Sequence, residues 1–120
     1  MKDIYGIFDG KKMIVDEDKF YPVPPNYAGK SKLIDGDGLK LTITDSGEFL
    51  YKQVDKVPRK KVFATVVEFN ESTVAIFEEK IYGIQISAIN YFRLKSGDQI
   101  IIEISKDGKS KWCAVEGNSN

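Results

Sequence analysis

Residues 13–54 lie over residues 74–115 at an offset of 61, with no gap, and nine positions are identical: Glu17/Glu78, Lys19/Lys80, Tyr21/Tyr82, Leu33/Leu94, Gly36/Gly97, Asp37/Asp98, Ile43/Ile104, Gly47/Gly108 and Val54/Val115. Average residue usage would give about two or three. Similar pairs fill the pattern, among them Val15/Ile76, Val23/Ile84, Leu39/Ile100, Leu41/Ile102 and Tyr51/Trp112. Upstream the match needs a two-residue shift, which sets Tyr5 to Phe8 beside Ala64 to Val67. A chain that carries one supersecondary unit twice builds its body from two related halves. Here the halves are residues 3–54 and 62–116, joined by a linker at 55–61 within one domain of 120 residues.

Period and punctuation give the content of one half. Residues 38–44 alternate, with Leu39, Leu41 and Ile43 on one face and Lys40, Thr42 and Thr44 on the other. That is the mark of a half-buried strand. Asp45-Ser46-Gly47 reads as a hairpin turn, and Phe49–Val54 as the returning strand. An earlier hairpin joins Ile4–Phe8 to Met13–Val15 through Asp9-Gly10. The second copy repeats both hairpins at Val62–Phe77 and at Ile100–Val115. Phe20–Val23 and Ile81–Ile86 extend the second strands after a bend. Between the hairpins lies a connector of about ten residues. Pro25 suits the first turn of a helix, and Ser87 suits an N-cap. Each unit therefore reads β-β-α-β-β, all-β with a short connector helix. One unit of about 55 residues buries too little surface to be stable alone. Two units give eight strands, and closing them into one barrel removes the open edges. Val66, Val67, Ile76, Phe77, Ile100, Ile102, Tyr51 and Trp112 are candidates for a shared interior.

The connector and the hairpin after it resemble the AbrB/SpoVT (MazE-like) family. Val23-Pro24-Pro25 opens the segment and Leu33-Ile34-Asp35-Gly36-Asp37 closes it, while the second copy closes on Leu94-Lys95-Ser96-Gly97-Asp98. Gly36-Asp37 and Gly97-Asp98 are similar to the GD box of cradle-loop barrels. Gly permits a backbone conformation that Cβ forbids, and Asp can accept backbone N–H bonds that pin the loop. The resemblance implies a pseudo-twofold, eight-stranded, swapped-hairpin barrel in which the usual two chains are fused into one. The alternative in the same group is a double-psi β-barrel. The resemblance also implies DNA binding and a role in transcriptional regulation.

Charge tempers that role. Lys and Arg number 18 and Asp and Glu 18, so the net charge is zero and no global field attracts a polyanion. The basic candidates are Lys11, Lys12, Lys30, Lys32 and the Arg59-Lys60-Lys61 run. Each Lys or Arg on a phosphate releases a counterion, although a solvated linker is the simpler reading of residues 52–61. Exposed aromatics beside Lys could stack bases. Lacking this, the barrel would serve protein interaction or structure, with an apolar patch around Ile101, which breaks the alternation of its strand.

Enzymatic chemistry has little to stand on. There is no His, and the single Cys113 has no partner base. Asp16-Glu17-Asp18 and Glu78-Glu79 are consecutive, so their side chains diverge and suit a solvated turn better than a metal site. No cofactor or metal is expected. No apolar run approaches the roughly 20 residues of a membrane helix, and the polar start is unlike a secretory signal. The expectation is a cytoplasmic monomer with internal symmetry and a nucleic acid or protein partner.

Overall fold

The alternating segments form strands as their periods require, but each half holds five of them. The computed structural model describes residues 1–119. The first half runs β1 (Lys2–Phe8), β2 (Lys12–Asp16), β3 (Lys19–Pro22), α1 (Pro25–Lys30), β4 (Gly38–Ile43) and β5 (Phe49–Asp55). The second runs β6 (Arg59–Phe69), β7 (Ser72–Phe77), β8 (Lys80–Ile84), α2 (Ile86–Phe92), β9 (Gln99–Ser105) and β10 (Trp112–Asn118). The acidic pairs are true hairpin turns that cut the long second strand into two. Glu78 and Glu79 have φ of 48° and 65°, both positive as in a type I′ turn.

Every strand pair lies within one half. The first sheet has the order β3-β2-β1-β4-β5, and the second closes as β10-β8-β7-β6-β9. Ten strands in two sheets thus replace the single eight-stranded barrel with exchanged hairpins, and equally the double-psi arrangement. The third strand of each half is the reason. In the second half it gives the last strand a parallel neighbour at home, Trp112↔Gly83 and Cys113↔Ile84, and in the first half β3 extends the sheet on β2, so no hairpin has to be lent across.

The interior is correspondingly divided rather than shared. Ile4, Phe8, Met13, Val23, Ala28, Leu33, Leu39 and Leu41 form one cluster. Val66, Ala75, Tyr82, Ile100, Ile102, Ile104 and Val115 belong to another, with Ile89 and Phe92 of α2 packed on it. Each fully buried Leu, Ile or Phe contributes about 1.5–3 kcal/mol. Trp112 lies outside both clusters.

The first sheet stays open where the second closes, and one residue explains it. The Gly83 N–H donates to Lys111 O at 2.8 Å. The equivalent residue, Pro22, has no N–H to give. Tyr51 spans the gap instead, its hydroxyl donating to Pro22 O.

The two Gly-Asp turns superimpose in their bonding. Gly36 and Gly97 have φ of 102° and 97°. Gly36 N–H donates to Phe8 O and Gly97 N–H to Val66 O, each at 2.8 Å. Asp37 accepts from Ile34 N–H at 3.0 Å and Asp98 from Lys95 N–H at 2.9 Å. These bonds equate Phe8 with Val66, one residue away from the upstream alignment read from sequence. The slip matters because one residue exchanges the faces of a strand.

Helix α1 starts at Pro25 as its ring favours. Helix α2 takes Gln85, not Ser87, as its N-cap residue. The Gln85 amide donates to Gly10 O at 2.8 Å, across the halves. Ser87 lies inside α2 and donates to Pro25 O at 2.8 Å. The Asp35 carboxylate accepts from the N–H groups of Lys111 and Trp112 at 2.9 and 3.0 Å. The chain therefore forms an elongated body of 46 × 27 × 24 Å in which two small sheets are joined by specific polar contacts.

Candidate nucleic-acid interface

The outer face of the first sheet carries aromatic and basic side chains next to one another. Alternation puts Ile4, Phe8, Met13, Leu39 and Leu41 inside. The intervening residues must then face out. Tyr5 is paired with Lys40, and Lys40 with Lys52, so the three stand in one row across β1, β4 and β5. Ile7 is paired with Ile14 and Ile14 with Phe20, a second row across β1, β2 and β3. Tyr5 is 61% exposed and Phe20 57%. Facing residues bring their Cβ atoms within about 5 Å. Two lysines side by side repel, yet among the described residues neither Lys40 nor Lys52 forms an ion pair with a carboxylate. Asp3, on the same face, accepts the Thr42 hydroxyl at 2.8 Å.

Lys11 and Lys12 border this face. Asp9 fixes them, accepting the backbone N–H of Lys11 at 2.9 Å and of Lys12 at 2.8 Å. Burial works to raise the Asp9 pKa, but those two N–H bonds and the Lys12 ammonium outweigh it and hold the carboxyl below its ordinary value. Lys12 Nζ sits 5.2 Å from the centre of the Phe20 ring, within cation–π range.

The other basic candidates separate into different places. Lys32 Nζ lies 3.3 Å and Lys61 Nζ 3.8 Å from the same Glu116 oxygen, and Lys30 closes α1 beside them. Lys60 faces the opposite way along β6, its Nζ 6.0 Å from the Phe77 ring. Arg59 leaves the set altogether. Its side chain is only 9% exposed and binds fully buried Asp37, with NH2 at 2.6 Å from Oδ2 and NH1 at 3.0 Å from Oδ1. It also donates to Lys32 O and Val57 O. Its Nε lies 3.4 Å from Glu103 Oε1, close enough for charge attraction but without hydrogen-bond geometry. The linker accordingly shrinks to residues 56–58, and the basic run belongs to β6. The four Gly-Asp residues are positioned for turn geometry, with Asp37 additionally receiving Gln53 Nε2 and Val57 N–H at 3.0 Å each.

Lys40 was not among the basic candidates read from sequence, Lys52 entered only through the 52–61 run, and Tyr5 and Phe20 only as aromatics able to stack. Their alternation was visible, but the cross-strand register that makes them neighbours was not. In the second half the equivalent row is Phe63–Ile101–Gly117, with Phe63 69% exposed. The same frame therefore presents charge in one copy and hydrocarbon in the other.

Two cavities also open on the surface. One, of about 600 Å³, lies between Asp35-Gly36, Val57-Pro58 and the Ser105–Ser110 turn. Its polar groups largely bond one another, as Ser105 does with Asp107 and Ser110. The other, of about 530 Å³, opens between α1, α2 and β10. Burial pushes the Cys113 thiol up to about 12, which leaves no thiolate for nucleophilic chemistry near neutral pH. Among the described residues, no group of three or more His, Cys, Asp or Glu side chains is placed to hold a metal ion. Among the described residues, no helix is long and apolar enough to cross a membrane. Comparison with family models, with curated proteins and with solved structures finds no match for the chain.

Proposed function

We propose that this chain is a non-enzymatic nucleic-acid-binding module that takes single strands on the outer face of β1–β5. The observation that carries this reading is the row Tyr5–Lys40–Lys52 beside Phe20 and Lys12. Aromatic rings offer any base a stacking surface, and Lys40 and Lys52, without ion-pair partners among the described residues, meet the phosphates. Fold analogy adds weight. A closed five-stranded sheet in which the third strand runs parallel to the fifth, with a helix before the fourth, has the connectivity of OB-type barrels. The second sheet has that connectivity, and the first has the same strand order without the closing pair. Such barrels bind oligonucleotides on the face of strands 2 and 3, and the corresponding strands of the first sheet are β2 and β3 with Lys12, Ile14 and Phe20. A symmetric reader of duplex DNA of the AbrB kind fits less well, because the second half lacks the basic row.

The test is fluorescence anisotropy with a labelled oligothymidylate of about a dozen nucleotides. Binding is expected at about 20 mM salt, weakening with salt at a log–log slope of about −2 for three neutralised phosphates. Phe20→Ala should weaken it by about tenfold, the lower part of the range for one stacked base. Lys40→Glu with Lys52→Glu should abolish it, and duplex DNA should bind less well. Absence of binding at low salt rejects the proposal. That result would favour a second reading, protein interaction, which rests on the exposed Phe63 beside Ile101.

A further inference from the structure

The cavity of about 530 Å³ between the halves is built unlike the rest of the surface. Its walls come from both copies: Asn26, Lys30 and Lys32 around α1, Tyr91 on α2, and Val115 on β10. The floor is fixed by a close helix contact, since a Cβ on Gly29 would lie 1.9 Å from the Ser87 hydroxyl. Tyr91 is 80% exposed, the most exposed aromatic ring on the molecule. Phe92 meets it edge-on at 4.9 Å and 88°, an arrangement that steadies the ring and leaves a face open. Lys30 and Lys32 line the same cavity, and Glu116, next to Val115 in the chain, lies 3.3 Å from Lys32 Nζ and 3.8 Å from Lys61 Nζ. Lys32 and Lys61 thus share one carboxylate, and of the two lysines in the lining Lys30 brings a charge that no carboxylate offsets. No repeat symmetry requires this concentration, and the fold does not use Lys30 in any ion pair among the described residues.

We propose that this cavity is a binding site for a nucleoside monophosphate, distinct from the outer face of β1–β5. A phosphomonoester carries a charge of about −1.5 to −2 near neutral pH, and Lys30 and Lys32 are the groups that would meet it. An attached aromatic base can lie on Tyr91, and the Asn26 amide can meet its polar edge through one donor and one acceptor. The volume falls within the roughly 300–1,000 Å³ usual for small-ligand sites. Val115 and Ala88 supply the apolar floor against which a ribose would pack.

Isothermal titration calorimetry on the full chain tests this, with adenosine, cytidine, guanosine and uridine 5′-monophosphates as probes and adenosine and inorganic phosphate as controls. At least one monophosphate is expected to bind, at least about tenfold more tightly than adenosine or phosphate alone. Tyr91→Ala and Lys30→Glu, both at exposed positions, should each weaken it by about tenfold. Lys40→Glu with Lys52→Glu should leave it unchanged, so the outcome stands apart from that of oligonucleotide binding. Failure of all four monophosphates to bind at about 10 mM, or binding unaffected by Tyr91→Ala and Lys30→Glu, overturns the proposal.

Discussion

Arg59 sits where three segments meet: the Gly-Asp turn of the first half, the short linker, and the ladder of β6 with β9. Its guanidinium forks onto both oxygens of Asp37, which is fully buried. A buried pair of this kind is weak evidence for stability as such, but removing one partner strands the other in a low-dielectric setting. Arg59→Ala should therefore lower the unfolding free energy by about 3–5 kcal/mol, read as a fall in the urea midpoint, while leaving the salt slope of oligonucleotide binding untouched. A change below about 1 kcal/mol would mean that water replaces the guanidinium. The role of Asp37 was half legible in the sequence: a Gly-Asp turn with a carboxylate aimed at backbone N–H groups. The partner was not. Arg59 lies 22 residues away in a basic run, and nothing in that run distinguishes a buried arginine from a solvated one.

At the scale of elements, β3 and β8 decide the architecture. Both follow short acidic turns, and both stand next to the last strand of their half. Only β8 completes a ladder there, because Gly83 has an N–H and Pro22 has none. Pro22→Ala restores the donor. In hydrogen exchange the new amide at position 22 should be protected, through a bond to the Leu50 carbonyl, and the first sheet should close as the second does. Free exchange at that amide would show that something other than the proline holds the edges apart. The inward faces of β4 and β9 and the start of α1 could be read from alternation and from Pro25. The third strands could not. The turn at Glu78-Glu79 has positive φ at both residues without the Gly or Asn that usually announces it, and the turn at Glu17-Asp18 has no Gly or Asn either, so each looked like a bend within one strand. That one miss turned ten strands into eight and two small cores into one. The binding row was hidden for a different reason: the β4–β5 hairpin could be read, but not the register that sets Lys40 against Lys52.

The whole molecule is two small cores held together by directional bonds. Residues 1–55 contain all of the first sheet, but not Arg59 or the Val57 N–H that satisfy Asp37. A unit of this size is marginal in any case. The fragment 1–55 should therefore show collapsed NMR dispersion and no cooperative melt, whereas the full chain melts in a single transition. A well-dispersed spectrum from the fragment would show that the first half is an independent domain. Trp112, the chain's single tryptophan, lies at this seam. A Cβ on Gly10 would come within 2.0 Å of its Nε1, and one on Gly83 within 2.9 Å of its benzo ring. The indole is thus pressed between one copy's hairpin and the other copy's barrel. Its emission is a built-in gauge of docking: a red shift at constant far-ultraviolet ellipticity would report the halves parting while each keeps its strands.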